Sequence, residues 1–249
     1  MDNKSVLLDL IKHTAGLGIF DNVKITGTTE ETRIDAMDAD RTVILNAKLH
    51  DPAAEFAGEY GMGNLGLLSS LTRLSNYTGE DASVNIERGT RNGVEVPTTI
   101  RFEDRSGSKD QYRFMSKEIV DQLLKVATFR GAAWKVQVQP SAGKVQQLSE
   151  VAGIYSGVEP TFNVKTEDGN LVFEVGSDTS GALGRRVFAA NIEGELDSTW
   201  SWNLATFLNI VKLGMTGTCM VRFSDQGACQ IDIDSGIGHY SYIMPAISK

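Results

Sequence analysis

A chain of 249 residues with 41% hydrophobic and 8% aromatic content is long enough for two ordinary domains, each with its own core. No window approaches about 18 unbroken apolar residues, which excludes a helical membrane span. The formal net charge of −8 argues against broad adhesion to nucleic acid, so a role of that kind would rest on how the charge is distributed.

In chain order, Lys4–Thr14 has helical spacing, with Val6, Leu7, Leu8, Leu10 and Ile11 apolar and Ser5, Asp9, Lys12 and His13 polar. Asp9, Lys12 and His13 interrupt or follow its apolar run, unlike a signal peptide. "TRIDAMDADRTVILNAKL" (Thr32–Leu49) reads as two strands around Asp38-Ala39-Asp40. Gly61, Gly63 and Gly66 have the spacing of a dinucleotide-binding fingerprint, and an amphipathic helix, Asn64–Ser75, follows them. The preceding "DPAAEFAGEY" is poor in β-branched residues and carries Asp51, Glu55 and Glu59, so the buried parallel strand that the fingerprint requires is not expected. "ASVNIERGTRNGVEVPTTIRFED" turns at Arg91-Asn92-Gly93, which is hairpin chemistry. Ser116–Arg130 mixes charged residues with Ile119, Val120, Leu123, Leu124 and Val126, as expected of an ordered connector.

After "AAWKVQVQP" the order begins again. Gly143–Ala152 is a short helix with Val145, Leu148 and Val151 on one side. "TFNVKTEDGNLVFEVG" turns at Asp168-Gly169, and "RRVFAANIE" supplies a further strand. Asn203–Leu213 is a helix with Asn203, Thr206, Asn209 and Lys212 as its polar stripe. "GTCMVRFSDQGACQIDID" is a hairpin. Centred on Asp225-Gln226, it sets Cys229 opposite Arg222 and Cys219 opposite Asp232, so a disulfide is not expected. "GHYSYIMPAI" is the last strand.

Helix, strands, helix, strands, twice over, is an internal duplication in an α+β chain, not βαβ alternation. The expected organisation is one domain over 1–115, a connector over 116–130 and a second domain over 131–249. The four helices carry five basic residues (Lys4, Lys12, Arg73, Lys144 and Lys212) against two acidic ones (Asp9 and Glu150). They are net +3, which leaves −11 for the rest of a chain at −8. Either this is chance in small numbers, or four helices line one mildly positive surface inside an acidic shell. No metal-ligand spacing joins the three histidines and two cysteines. A GxSxG nucleophile turn is absent, and "SGALG" (Ser180–Gly184) lacks strand–elbow–helix context. Neither an enzyme nor a cofactor is expected; a β-rich virion structural protein is the alternative to a nucleic-acid role.

"GNLGLLSSLTRL" resembles the second helix of DNA sliding clamps, and "AMDADRTVILNAKL" resembles a strand–turn–strand of proliferating cell nuclear antigen. "GKVQQLSEVAGIYSGVEPTFNVKTEDGNLVFEVG" is similar to the start of the second domain in T-even phage clamps, and "YSYIMPAISK" to the family's Tyr-x-x-Pro tail. The resemblance spans nearly the whole chain and implies the DNA-clamp fold, with two similar domains of two helices and antiparallel sheets each. It implies a homotrimeric ring around duplex DNA, indifferent to sequence, that tethers a replicative polymerase and is placed by a clamp loader. The setting it implies is the cytoplasm, that of the host if the chain is phage-encoded. It assigns Lys4, Lys12, His13, Arg73, Lys144 and Lys212 to the DNA-facing side. It assigns Met37, Leu123, Leu124, Tyr242, Met244 and Pro245 to a groove for a polymerase C-terminal peptide, with core filling as the alternative for Met37 and Tyr242. Tyr112 and Phe114 in "KDQYRFM", with Arg186 and Phe188 in "RRVFAAN", become the subunit interface.

Overall fold

The computed structural model describes residues 3–79, 81–125, 129–155, 157, 159–177 and 181–247. Residues 126–128 of the expected connector and Ser180 of "SGALG" lie outside them. The chain divides into two compact units, residues 1–127 with 236–240, and residues 128–235 with 241–249.

Unit 1 opens with α1 (Asn3–His13), which buries Val6, Leu7, Leu10 and Ile11, the apolar stripe read from its spacing. Five strands follow one antiparallel order, β8-β4-β1-β2-β3. They are β1 (Val23–Gly27), β2 (Thr32–Met37), β3 (Ile44–Leu49), β4 (Gly58–Met62) and the two-residue β8 (Met115–Ser116). A second sheet, β5-β6-β7, is built from β5 (Ser83–Arg91), β6 (Val94–Glu103) and β7 (Lys109–Arg113). The tip joining β5 to β6 is Asn92-Gly93, both at positive φ (51° and 79°), as a primed hairpin turn requires. Helix α2 (Leu65–Arg73) stops at Leu74, whose φ and ψ of −60° and 133° are extended, and a single turn, α3 (Ser75–Thr78), resumes it. The expected single helix to Ser75 is therefore two.

Strand β4 is the main element the sequence hid. It pairs antiparallel with β1 and contains the first glycine, Gly61, so a strand does lead into the glycine triplet, with the wrong partner geometry for a cofactor fold. The glycines have another reason. A Cβ on Gly61 would lie 2.5 Å from the Cβ of Val120, which sits fully buried on α4 (Lys117–Leu123). The first half of the expected connector is thus a helix seated on β4 through a position that only glycine leaves open.

Unit 2 holds β9 (Val136–Val138), α5 (Ala142–Tyr155), β10 (Thr161–Glu167), β11 (Asn170–Ser177), β12 (Ala182–Ala189), β13 (Trp200–Asn203), α6 (Leu204–Leu213), β14 (Thr218–Ser224) and β15 (Ala228–Asp234). The last strand, β16 (Gly238–Pro245), gives its first three residues to unit 1 and the rest to unit 2. One sheet runs β12-β11-β10-β13, and β14 pairs with both β15 and β9. Asp168-Gly169 turns β10 into β11 with φ of 51° and 72°. Asn203 caps α6, its side chain accepting from Thr206 N at 2.9 Å. The core is aromatic: Phe173 stacks on Phe188 at 4.3 Å, Phe162 meets Phe207 at 4.9 Å, and Trp202 meets Phe223 at 5.3 Å.

The cysteine hairpin is displaced by one residue from the expected register. Its loop has three residues, with Gly227 at φ 73°, so Cys229 faces Phe223 and Cys219 faces Ile233. Both thiols are free and buried.

Candidate nucleic-acid face and partner cavity

The long helices pack in pairs inside each unit, α1 beside α2 and α5 beside α6. Burial of one stripe fixes which side chains remain outward. Lys12, Arg73 and Lys212 are exposed; Lys4 and Lys144 are half-buried. Lys12, Arg73 and Lys212 stand in the last turns of their helices, where a cation also complements the helix dipole. The Lys4 ammonium donates to the Gly79 carbonyl at 2.9 Å, tying α1 to the end of α3. Neutral donors fill the spaces between: Ser70, Asn76, Gln146, Gln147 and Asn209 are exposed. No acid lies on α2, α3 or α6. Asp9 is turned inward, accepting from the Tyr240 hydroxyl at 2.7 Å with its side chain only 10% exposed. Glu150 is the acid left outward on the four long helices among the described residues.

His13 is a correction. The spacing puts it on the polar stripe, but its side chain is wholly buried and stacks on Tyr240 with centroids 3.9 Å apart. Burial lowers its pKa to about 4, against the opposing pull of Asp9, so it is neutral at pH 7. It is not a DNA-facing cation.

The proposed groove residues separate. Met37, Leu123 and Leu124 line one cavity of about 350 Å³ in unit 1, together with Asp38 and Arg41. Asp38 shapes its wall, accepting from Val43 N and the Thr42 hydroxyl at 2.6 Å each. Leu123 is 59% exposed, an apolar side chain in water. Tyr242 and Met244 correct the expectation, being buried in β16 of unit 2 at 0% and 2% exposure. The Met244 carbonyl accepts from Trp202 Nε1 at 2.9 Å. Neither presents a side chain to a peptide; Pro245 is exposed.

The expected interface residues also need correction. Tyr112, Phe114 and Phe188 are core side chains, and Arg186 alone of the four is exposed. What β7 and β12 offer is backbone, since each lies at the edge of its sheet. Asp104 N donates to Ser108 O at 3.2 Å and Phe114 N to Thr98 O at 3.0 Å. The bonded pairs of the alternating ladder are then Phe102↔Asp110 and Ile100↔Tyr112. Tyr112 therefore turns its N–H and C=O toward β6, whereas Gln111 and Arg113 turn theirs to the open edge.

Paired helices beside antiparallel sheets, repeated in two units, define the DNA-clamp class of α+β fold. Among solved structures, the chain is similar to PCNA from Thermococcus kodakaraensis, with a TM-score of 0.73 at 13% identity, over 99% of this chain and 98% of that one. It is also similar to A. fulgidus PCNA bound to the C-terminal region of FEN-1, with a TM-score of 0.68 at 7% identity, over 99% and 96% of the two chains. No protein-family model and no curated protein matches the sequence. The chain has the fold of the PCNA sliding clamps.

Proposed function

We propose that the protein is a DNA sliding clamp: a non-enzymatic homotrimer that encircles duplex DNA without regard to sequence and tethers a replicative polymerase. One observation carries the reading. The outward cations of the long helices, in a fold shared with clamps, have no carboxylate partner among the described residues, although the chain is acidic overall. Unanswered cations spaced among neutral donors suit phosphate contacts that position a duplex and read no sequence. Ring closure joins the open edge of β7 in one subunit to that of β12 in the next. The cavity at Met37, Leu123 and Leu124 takes an apolar anchor of the polymerase C-terminal peptide. A clamp loader places the ring, no cofactor takes part, and the setting is the cytoplasm, that of the host for a phage-encoded chain.

The test is topological. Protein threaded at high concentration over a linear duplex, whose ends are then blocked, is retained through a high-salt wash and released by one restriction cut. Release before cutting, or retention after it, refutes the clamp reading. Light scattering on the free protein gives three times 27.1 kDa; a monodisperse monomer at high concentration refutes the trimer. Longer polymerase products on a primed circle distinguish a clamp from a virion protein.

A further inference from the structure

Beside each of the two open strand edges lies a helix with an apolar side chain in water. In unit 1, α2 packs over β7, whereas α1 packs over β5 at the opposite border of that three-stranded sheet. Two ties fix α2 and α3 along β7. The Tyr112 hydroxyl donates to the Gly63 carbonyl just before α2, and the Tyr77 hydroxyl on α3 donates to the Asp110 carboxylate at 2.7 Å. Between the ties stand Leu67 and Leu74, 44% and 45% exposed. Their spacing is close to two helical turns, which sets them on one side of α2.

In unit 2, α5 packs over β11 and β12, and Tyr155 is seated on β12: a Cβ on Gly184 would lie 3.1 Å from the Tyr155 ring. Ile154, the residue before it, is 71% exposed, more than any other large apolar side chain among the described residues. One turn earlier is Glu150, the acid left outward on the four long helices among the described residues. A carboxylate repels phosphate, so this end of α5 faces something other than a duplex.

We infer that these helices seal the joint between subunits: Leu67 and Leu74 of one copy pack against Ile154 of the next, beside the ladder formed by β7 and β12. The inference rests on the ring closure proposed above and names the side chains that hold it. Backbone hydrogen bonds exchanged with water contribute little net energy each, so a lasting strand-edge joint needs apolar burial next to it. The two patches lie in different units of one chain, each beside an open edge, as a head-to-tail contact in a ring requires. A peptide added to either edge would satisfy the backbone and leave the neighbouring helix bare.

Leu74→Ser and Ile154→Ser, both at exposed positions, should leave the circular dichroism spectrum unchanged, and each should raise the dissociation constant of the trimer about tenfold in sedimentation. Combined, they should cost less than the product of the two factors, because they remove one shared contact. Leu8→Ser, at a residue on α1 that is 41% exposed, should change nothing. Cross-linking then reads position. Cys219 and Cys229 are buried, so Leu67→Cys with Ile154→Cys in one chain should be joined between subunits by a short bis-maleimide into a covalent trimer, and Leu8→Cys with Ile154→Cys should not. Parental assembly in both serine variants, fully multiplicative losses, no covalent trimer from the first cysteine pair, or equal cross-linking of the two pairs overturns the inference. If Gln111→Pro, on the open edge of β7, still abolishes the trimer in that case, the strand closure stands without the helix seal. A parent chain that stays monomeric overturns the closure and the seal together.

Discussion

Lys165 on β10 and Lys212 on α6 belong to the same unit, yet their surroundings are opposite. Lys165 has Glu174 at 2.6 Å and Glu167 at 3.9 Å, whereas Lys212 is exposed and has no carboxylate partner among the described residues. The contrast extends along the chain. Lys24 meets Asp121, Lys48 meets Glu31, Arg101 meets Glu87, Lys109 meets Glu103, Arg185 meets Glu167 and Arg222 meets Asp232. Lys12, Arg73 and Lys144 on the helices resemble Lys212. Strand geometry explains half of this. Strands can bring opposite charges within reach, and Arg101–Glu87, Lys109–Glu103, Lys165–Glu174 and Arg222–Asp232 are such pairs, whereas Arg113 and Arg186 on the edge strands β7 and β12 are exposed with no carboxylate partner among the described residues. A helix must place its counter-ion three or four residues away; for Arg73, Lys144 and Lys212 those positions are neutral, and for Lys12 the acid there, Asp9, is turned inward to Tyr240. The −8 of the whole chain thus conceals a layer whose positive charge is available to something else.

The largest expected effect tests the strands. If β7 contributes backbone to assembly, proline at two neighbouring positions separates folding from closure. Tyr112→Pro removes a donor that β6 already uses together with a buried aromatic side chain and should cost about 3 kcal/mol or more, enough to unfold unit 1 in a thermal melt. Gln111→Pro removes a donor at the open edge. It should leave the melt nearly unchanged while light scattering shows trimer lost to monomer. A Gln111→Pro trimer as stable as the parent would refute the use of this edge.

Charge reversal on the helices comes next. Arg73→Glu with Lys212→Glu should reduce low-salt binding to open-ended duplex more than tenfold and flatten its salt dependence, since fewer counterions are released on binding, while the topological retention of rings already threaded is unchanged. Lys48→Glu with Arg101→Glu, the same charge change on strands away from the β7 edge, should alter that binding less than twofold. Equal losses from the two double variants would erase the distinction between the layers.

The strand prediction also shows what the sequence could and could not reveal. Asn92-Gly93 and Asp168-Gly169 were legible because a primed turn restricts composition, and α1 and α6 because apolar residues recur at helical spacing. Strand β4 was not, because glycines at Gly58 and Gly61 and the charged Glu59 break up the apolar signal of its buried Tyr60 and Met62, and Gly61 carries none until Val120 is seen resting on it. His13 was misplaced because its partner, Tyr240, is remote in sequence, and a helical wheel knows nothing of a ring stacked on it. Tyr242 and Met244 share a strand whose burial runs over three consecutive residues, Tyr242–Met244, so alternation could not tell core from groove. Of the DNA-facing set, the cations were readable from type and spacing, but their lack of partners required the folded chain.

His13 yields a smaller, pH-dependent effect. Its folded pKa, about 4, is below the 6.5 of an unperturbed histidine, so between these values the unfolded chain binds the proton more readily. Its contribution is therefore complete above about pH 6.5, declines as pH falls, and is gone below about 4. A shift of this size corresponds to roughly 3 kcal/mol. In His13→Gln, the slope of melting temperature against pH should flatten across that window relative to the parent chain. An unchanged slope would mean that the ring titrates normally and that its stacking on Tyr240 is loose in solution.

The smallest effect tests the comparison most directly, because the same lysine-to-glutamine change at two positions should lower a different property at each. Lys165→Gln removes a cation held between Glu174 and Glu167, with Glu174 only 18% exposed. A partly exposed ion pair is worth about 0.2–1 kcal/mol, and its loss also leaves two carboxylates facing one another. The melting temperature should fall by a degree or two while DNA retention is unaffected. Lys212→Gln removes a cation with nothing to lose but a favourable helix-end position, which is worth about 0.3–1 kcal/mol at low salt and less at physiological salt. Its melt at 150 mM salt should match the parent, and low-salt binding to open-ended duplex should fall two- to threefold. Comparing both variants in low and high salt separates the terms, because screening weakens DNA contacts by counterion release far more steeply than it weakens a short pair shielded by its sheet. If Lys212→Gln destabilises the fold as much as Lys165→Gln does, Lys212 is part of the structure's own charge balance, and the helices have no charge to spare for a duplex.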